Sequence, residues 1–321
     1  MSNAQDDLRA RLALDGFAVV SLEDRALARL LQPWLLIDGL LGLGAQLTEV
    51  QPIRPIAHGR SFAASDGAAP LHTDSQLWRG RPAELQLTAC LRPADRDGDS
   101  VLVDGFALAD RLAAERPEDL AALLDESRCM PFVFGHVFGP TLARRADRHV
   151  FTHPARPQPG DRIAVVVERA LAEAPRRIVR LTAGQALLVD NHRMLHGRRA
   201  FEDPQRELLR VLAWLEAPLS ASPGWADVAD RTHAALASRL ASAPLEVRYA
   251  FGVESAAIRP IDAAVSAMLS GAPPGALARR LGIDEATLYR HRDRLGLSPG
   301  PGPELDPLPA CLEALARLRS S

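Results

Sequence analysis

Four short apolar stretches, each closed by turn-forming residues, constrain the fold of this chain more than anything else in it. Residues 83–91 (AELQLTACL) alternate in polarity, 101–103 (VLV) run straight into Asp104-Gly105, and 178–189 (IVRLTAGQALLV) and 207–215 (ELLRVLAWL) flank the turn-rich DNHRMLHGRRAFEDPQ. Short apolar or alternating runs bounded by Gly, Asp and Pro are the pattern of β-strands. Asp15-Gly16-Phe17-Ala18-Val19-Val20 adds a first strand after a glycine. Residues 22–43 and 106–125 instead place Leu and Ala at helical spacing, and the second reads as one amphipathic helix. From 131 to 160 the Pro, Gly, His and Arg content predicts a long loop or loosely paired strands, a common place for substrate contacts. Short strands, long loops and an interior helix predict a mainly β (α+β) barrel-like core with helical decoration.

A composition break at 218–224 (PLSASPG) ends that core. Helical patterns follow at 226–241, 261–270, 275–282, 284–296 and 308–319. The organisation read from this is a core domain over 1–225, a helical connection over 226–255 and a small helical domain over 256–321. No apolar run approaches the ~20 residues needed to cross a bilayer. The N-terminus lacks the basic and apolar regions of a signal peptide, and Cys90, Cys129 and Cys311 are odd in number and far apart. A cytoplasmic, reducing location is therefore expected. All 38 basic residues are arginine. Without a lysine amine, Schiff-base aldolases, pyridoxal-phosphate enzymes, Ser-Lys hydrolases and the lysine-dependent phosphate loop are excluded. A net charge of −2 gives no global attraction to nucleic acid or anionic lipid.

Chemistry concentrates at two places. In His72-Thr73-Asp74 an extended backbone turns residues i and i+2 to one side, so an imidazole and a carboxylate share a face. Alone, a His-x-Asp is short enough to arise by chance. Far downstream, Asp190-Asn191-His192-Arg193-Met194-Leu195-His196-Gly197 supplies a further histidine just after an apolar strand. Two His and one carboxylate occupy one face of an octahedral metal and leave three positions open, the arrangement of non-haem Fe(II) oxygenases. Arg206 and Arg210 fall on the strand face that also carries Leu208, Leu212 and Trp214, so two guanidinium groups enter an apolar interior. Internal ion pairs, solvation at a sheet edge, or a bound dicarboxylate would each satisfy them.

The order HTD, GDS, DNHRMLHGRRAF, then an arginine pair resembles the taurine dioxygenase superfamily of Fe(II)/2-oxoglutarate-dependent oxygenases. Over about residues 15–216 it is most similar to the γ-butyrobetaine and trimethyllysine hydroxylase branch. The resemblance implies a double-stranded β-helix (jelly roll) with His72, Asp74 and His196 as iron ligands. It implies that Arg210 holds the distal carboxylate of 2-oxoglutarate, assisted by Ser100 of Gly98-Asp99-Ser100, with Arg206 near the iron-bound end. Fe(II), 2-oxoglutarate and O2 would oxidise a substrate C–H bond and release succinate and CO2. Related halogenases replace the ligating carboxylate with a small residue, so Asp74 favours hydroxylation, desaturation or ring closure.

The chain departs from that branch in the substrate pocket. A trimethylammonium group is held by an aromatic cage, yet the only tyrosines are Tyr249 and Tyr289, both beyond the core. Arginines and histidines of the 144–156 loop suit a carboxylate, sulfate or phosphate instead. The candidate substrate residues are Gln76, Trp78, His153, Arg156 and Arg198, and the expected substrate is a small amino-acid-like or anionic metabolite. GALARRLGIDEATLYRHRDRLGLS resembles the helix-turn-helix of factor-for-inversion-stimulation type activators, with Asp284 as the N-cap of the second helix. Arg279, Arg280, Arg290, Arg292 and Arg294 exceed Asp284, Glu285 and Asp293 by only two charges. A 2-oxoglutarate- or iron-responsive DNA-binding regulator is thus the alternative to an enzyme, and a helical appendage that covers the active site, mediates dimerisation or docks a partner is the expectation for this segment. A homo-oligomer is compatible with that role.

Overall fold

A computed structural model describes residues 3–22, 28–56, 61–74, 80–132, 135–254, 264–265, 268, 273–294 and 308–320. Among the described residues nine strands form two antiparallel sheets. In the five-stranded sheet β1 (Phe17–Ser21) is followed by β11 (Gln185–Asp190), β4 (Leu85–Arg92), β13 (Glu207–Leu215) and β2 (Ala45–Ile53). The four-stranded sheet runs β10 (Arg177–Val179), β5 (Ser100–Asp104), β12 (Met194–Arg198), β3 (Ala69–His72). Two hairpins, β6 (Arg128–Phe132) with β7 (Gly135–Gly139) and β8 (Leu142–Arg145) with β9 (Arg148–Phe151), lie outside both sheets.

The strand period of two decides which side chains see which layer. Leu85, Leu87 and Ala89 of β4 and Val211, Ala213 and Leu215 of β13 pack outward. They meet Leu8 and Leu12 of the helix Asn3–Asp15 and Leu36, Ile37 and Leu41 of the helix Pro33–Leu41. The opposite face joins Cys90, Leu187, Val189 and Leu208 to Leu102 and Met194 of the smaller sheet. Val103 and Leu195, on that sheet's outer side, are covered by the helices Gly105–Glu115, Pro117–Asp125 and Arg162–Glu173. These curled antiparallel sheets with a side-chain interior are consistent with a jelly roll.

Several expectations change. The segment 106–125 is two helices, because Arg116 leaves helical geometry at φ −147° and Pro117 opens the second helix at its first turn. Asp104 caps the first of them, accepting the N–H groups of Phe106 and Ala107. Residues 178–189 are not one strand: β10 ends at Val179, and Gly184 at φ +81° permits the turn that delivers β11 to the other sheet. Residues 131–160 carry most of the two hairpins. Of the stretch 22–43, the described part holds a 3-10 turn at Ala28–Leu31 and the helix Pro33–Leu41. The helices Asn3–Asp15 and Arg162–Glu173 were not anticipated. The second starts on Asp161, whose Oδ1 accepts from Ile163 and Ala164.

Beyond β13 come the helices Ala226–Arg239 and Leu245–Ala250. Pro274–Leu281 and Glu285–Arg294 form a helix pair turned by Gly282 at φ +66°, with Asp284 accepting the Thr287 N–H at 2.7 Å. Leu277, Ala278 and Leu288 pack with Val265 and with Trp34 of the core. The last helix, Leu308–Ser320, packs elsewhere: Cys311 and Leu315 sit against Cys129, Phe138, Val247 and Phe251. The segment 256–321 therefore contributes to two separate clusters. Among the described residues no helix is long and apolar enough to cross a membrane.

Candidate metal centre

His72 closes β3, and the antiparallel register sets its Cα opposite that of His196 on β12. Directly opposed residues project to one face, and the two rings meet at 4.5 Å between centroids, tilted by 50°. Asp74, two residues past His72, returns to the same side. Nε2 of His196 lies 3.8 Å from Asp74 Oδ2, and one ligand atom from each of the three residues falls within 4.8 Å of the others.

Neighbouring groups fix the orientation of this set. His72 Nδ1 lies 2.8 Å from the Pro70 carbonyl. A carbonyl only accepts, so Nδ1 carries the proton and Nε2 keeps its lone pair. Asn191 ties Asp74 down at both ends of its backbone. Its Oδ1 accepts the Asp74 N–H at 2.8 Å, and its Nδ2 donates to the carbonyls of Asp74 at 2.7 Å and Ala83 at 2.9 Å. The residue before it, Asp190, accepts the His192 N–H and the Ser220 hydroxyl.

Electrostatics suit a cation. Burial, then the charge of His72, pushes His196 down to about 3. Burial also lowers His72, against the pull of Asp74. Both imidazoles are therefore neutral near pH 7 and offer lone pairs without losing a proton. Burial alone would raise Asp74, but the Arg210 guanidinium, the largest of the opposing influences, outweighs it and holds the carboxylate ionised. Two neutral imidazoles and one carboxylate, with no thiolate, are a donor set for a divalent metal such as Fe(II). Among the described residues His196 Nδ1 is buried with no hydrogen-bond partner, an orphaned polar atom of the kind found at metal centres.

The family model "Taurine catabolism dioxygenase TauD, TfdA family" matches residues 14–175 and 168–212. The chain belongs to the TauD/TfdA family. It is 32% identical over 169 residues to a uridine-5'-phosphate dioxygenase of an Amycolatopsis species, covering 46% of this chain and 61% of that relative's length. Asparagine oxygenase, solved with Fe(II), 3-hydroxyasparagine and succinate, shares the fold with a TM-score of 0.52 over 66% of this chain and 78% of its own, at 19% identity. The non-haem iron oxygenase OrfP, solved with (3S)-hydroxy-L-Arg, has a TM-score of 0.50 over 68% of this chain and 81% of its own, also at 19% identity.

Within this TauD/TfdA chain the two arginines occupy different places. Arg210 Nη1 donates to both Asp74 oxygens, at 2.9 and 2.7 Å, and its Nη2 donates to Gln51. Of the ways to satisfy an inward arginine, Arg210 thus uses an internal ion pair. Arg206 precedes β13, lies over the Phe201 ring with its Cζ 4.7 Å from the centroid, and donates to the Gly98 carbonyl. Among the described residues its buried Nη1 has no partner, and burial followed by the charge of Arg198 lowers its pKa to about 10. Ser100 lines a small cavity with Arg206, Cys90, Leu181 and Leu208. The structure therefore groups Ser100 with Arg206, not with Arg210.

The substrate candidates are dispersed. Arg198 is engaged with the carbonyls of Phe62, Ser65 and Gly67 and stacks on Phe201, which makes it a brace for the 61–67 segment. Arg156 is exposed and lies over Phe62 at 5.0 Å, and that ring is 6.0 Å from the ring of His72. His153 is fully buried, donates from Nε2 to Glu168 at 3.1 Å, and exchanges hydrogen bonds with Thr73. Gln76 and Trp78 lie outside the described residues. Asn191 and Gln51 were missed from sequence because each acts on a residue far away in the chain.

Proposed function

We propose that this protein is an Fe(II)- and 2-oxoglutarate-dependent dioxygenase that oxidises a C–H bond of a small anionic metabolite by hydroxylation, desaturation or ring closure. The observation that carries this reading is the convergence of His72, Asp74 and His196 inside a TauD/TfdA chain. These three residues hold the metal, which together with 2-oxoglutarate and O2 supplies the oxidising power, with succinate and CO2 as the co-products.

The residues around them set the binding geometry. Arg206 and Ser100 take the distal carboxylate of 2-oxoglutarate, reversing the expectation for the arginine pair. The support is the unpartnered, buried Nη1 of Arg206 beside Ser100; Arg210 also keeps a buried, unpartnered Nε, but its Nη1 pairs with Asp74 and it does not share the Ser100 cavity. A guanidinium fixed over Phe201 offers a planar fork to a carboxylate at little ordering cost. Arg210 steadies the ligating Asp74 and the near carboxylate of the cosubstrate. Leu208, Leu212 and Trp214, all buried, keep the interior low in dielectric, which strengthens each of these charge contacts.

The substrate reading rests on cations. Arg156 over Phe62 places a guanidinium at the rim of the histidine pair. The relative named for uridine-5'-phosphate also supports an anionic substrate. Three buried cysteines suit a reducing compartment such as the cytoplasm. The test is anaerobic loading with Fe(II) and 2-oxoglutarate, then exposure to O2 with uridine 5'-phosphate, arginine, asparagine or a metabolite extract. Mass spectrometry should find one product gaining an oxygen or losing two hydrogens, with stoichiometric succinate. Oxidation of none of them, with succinate formation unchanged by any addition, would contradict the proposed substrate class.

A further inference from the structure

Arg145 is a buried charge with no counter-ion. It is 1% exposed, and among the described residues no carboxylate pairs with it. Its Nη1 donates to the Phe138 carbonyl at 3.1 Å and its Nε to Thr152 Oγ1 at 3.4 Å, while Nη2 is buried with no partner. Burial and the nearby charge of Arg128 lower its pKa to about 9, which leaves it protonated at neutral pH. Ordinary packing does not strand a guanidinium in this way, because an isolated buried charge is strongly unfavourable.

Three further observations surround it. Arg128 is 2% exposed and donates from Nη1 to Asp161 at 2.6 Å, yet its Nε and Nη2, one full edge of the fork, have no partner among the described residues. The same Asp161 already caps a helix with its other oxygen, so this pair leaves the charge of Arg145 uncompensated. Gly139 stands opposite Arg128 across the β6–β7 hairpin, and a Cβ placed there would lie 3.5 Å from Arg145 Nη2. The missing side chain leaves room for a methyl-sized group beside Arg145 Nη2, and the charge of Arg128 acts on Arg145 from across the same hairpin. Thr141, fully buried, has a hydroxyl without a partner, and its carbonyl accepts the N–H of Thr152, the residue that meets Arg145. His153 follows Thr152 and is bonded through its backbone to Thr73, between the metal-site residues His72 and Asp74.

We infer that Arg145, Arg128 and Thr141 form a subsite for the phosphate group of a phosphate-monoester substrate, reaching the metal centre along His153 and Thr73. This deepens the oxygenase reading and rests on it for the identity of the ligand as substrate. A planar carboxylate has two oxygens, whereas Arg145 Nη2, the Nε–Nη2 edge of Arg128 and the Thr141 hydroxyl supply more donors than those two can use in one plane. A tetrahedral phosphate with three terminal oxygens and a charge between −1 and −2 matches the donors and the surplus positive charge.

The test uses the full chain without iron, titrated with inorganic phosphate at constant ionic strength and followed by thermal unfolding. Wild type should show a saturable rise in Tm of roughly 2–4 °C when phosphate reaches ten times its Kd. Arg145→Met should lose that rise, weakening phosphate binding at least ~10-fold, while its phosphate-free Tm stays level or increases because an unpaired charge has gone. Thr141→Val keeps the charges and should weaken binding several-fold, which serves as the readout if Arg145→Met does not fold. His196→Ala should retain the full phosphate response, so failure of the oxygenase reading would leave this result standing. In turnover, inorganic phosphate should compete with a phosphate-monoester substrate, and non-competitive inhibition would overturn the assignment to substrate. No saturable response in wild type, or an equal response in Arg145→Met, would overturn the subsite itself.

Discussion

Replacing Arg206 with alanine should damage 2-oxoglutarate binding more than any comparable change at Arg210. Arg206 is held by the Phe201 ring and the Gly98 carbonyl, with one buried Nη1 free beside Ser100. A charge-assisted hydrogen bond to a carboxylate is worth ~1.5–3 kcal/mol, and at 1.36 kcal/mol per decade that is roughly 10- to 150-fold in the 2-oxoglutarate KM. Arg206→Lys should recover only part of it, because an ammonium cannot reproduce the fork. Arg210→Gln has a different signature. It removes the cation that holds Asp74 ionised, so metal affinity and kcat should fall while the 2-oxoglutarate KM moves less. The assay is succinate release over a 2-oxoglutarate titration at saturating Fe(II), with Fe(II) affinity measured separately. A larger rise in KM for Arg210→Gln than for Arg206→Ala would refute the reasoning and return the distal carboxylate to Arg210.

Asn191→Ala removes the two hydrogen bonds that bracket Asp74 and a third to the Ala83 carbonyl, and should lower metal affinity ~10–100-fold, the range for losing a group that orients a ligand; metal titration of the purified variant checks it. His192, buried and donating to the Pro82 carbonyl, is pushed down to about 3 by burial. Its unfolded form binds a proton below about 6.5 whereas the folded form does not, so this contribution to stability is present above that pH and lost as pH falls. Wild type should lose stability relative to His192→Asn by up to ~1.4 kcal/mol per pH unit between about 6.5 and 3, measured by urea unfolding at several pH values. Ending the chain at residue 307 strips Cys311 and Leu315 from Phe138, Val247 and Phe251. Burying one leucine contributes ~1.5–3 kcal/mol, so the truncation should lower Tm by several degrees in a thermal melt.

The metal-site residues were legible in sequence because two of them share a local spacing and the third follows a strand. Their convergence depended on the β3–β12 register, which no local pattern encodes. Arg206 and Arg210 could be assigned to one face from a period of two, but not to partners. Which of them meets Asp74 depends on where β13 lies against the end of β3, and that is a tertiary fact. Asn191 was invisible for the same reason, since its contacts are with Asp74 and Ala83. Pro117 marks the helix break inside 106–125, but the apolar period runs unbroken across it and reads as one helix. The helix Arg162–Glu173 carries Ile163, Ala164, Val167, Ala170 and Leu171 on its buried side. Its consecutive valines blurred that period, and the Pro- and Arg-rich stretch before it drew attention to loops. At the C-terminus the helix pair at 274–294 was readable from Gly282 and Asp284, whereas the docking of Leu308–Ser320 on Phe138 and Phe251 was not.

The central claim is that His72, Asp74 and His196 hold one Fe(II) that couples 2-oxoglutarate decarboxylation to O2. Iron content and succinate formation measured on the same anaerobically loaded samples of wild type and His196→Ala test it most directly. Wild type should hold about one Fe(II) per chain and form O2-dependent succinate, and His196→Ala should do neither, since two ligands rarely retain labile Fe(II). The variant should keep a cooperative unfolding transition, because His196 lies at the metal centre and the hydrophobic clusters do not include it. Equal iron and equal succinate in the two proteins would contradict the account.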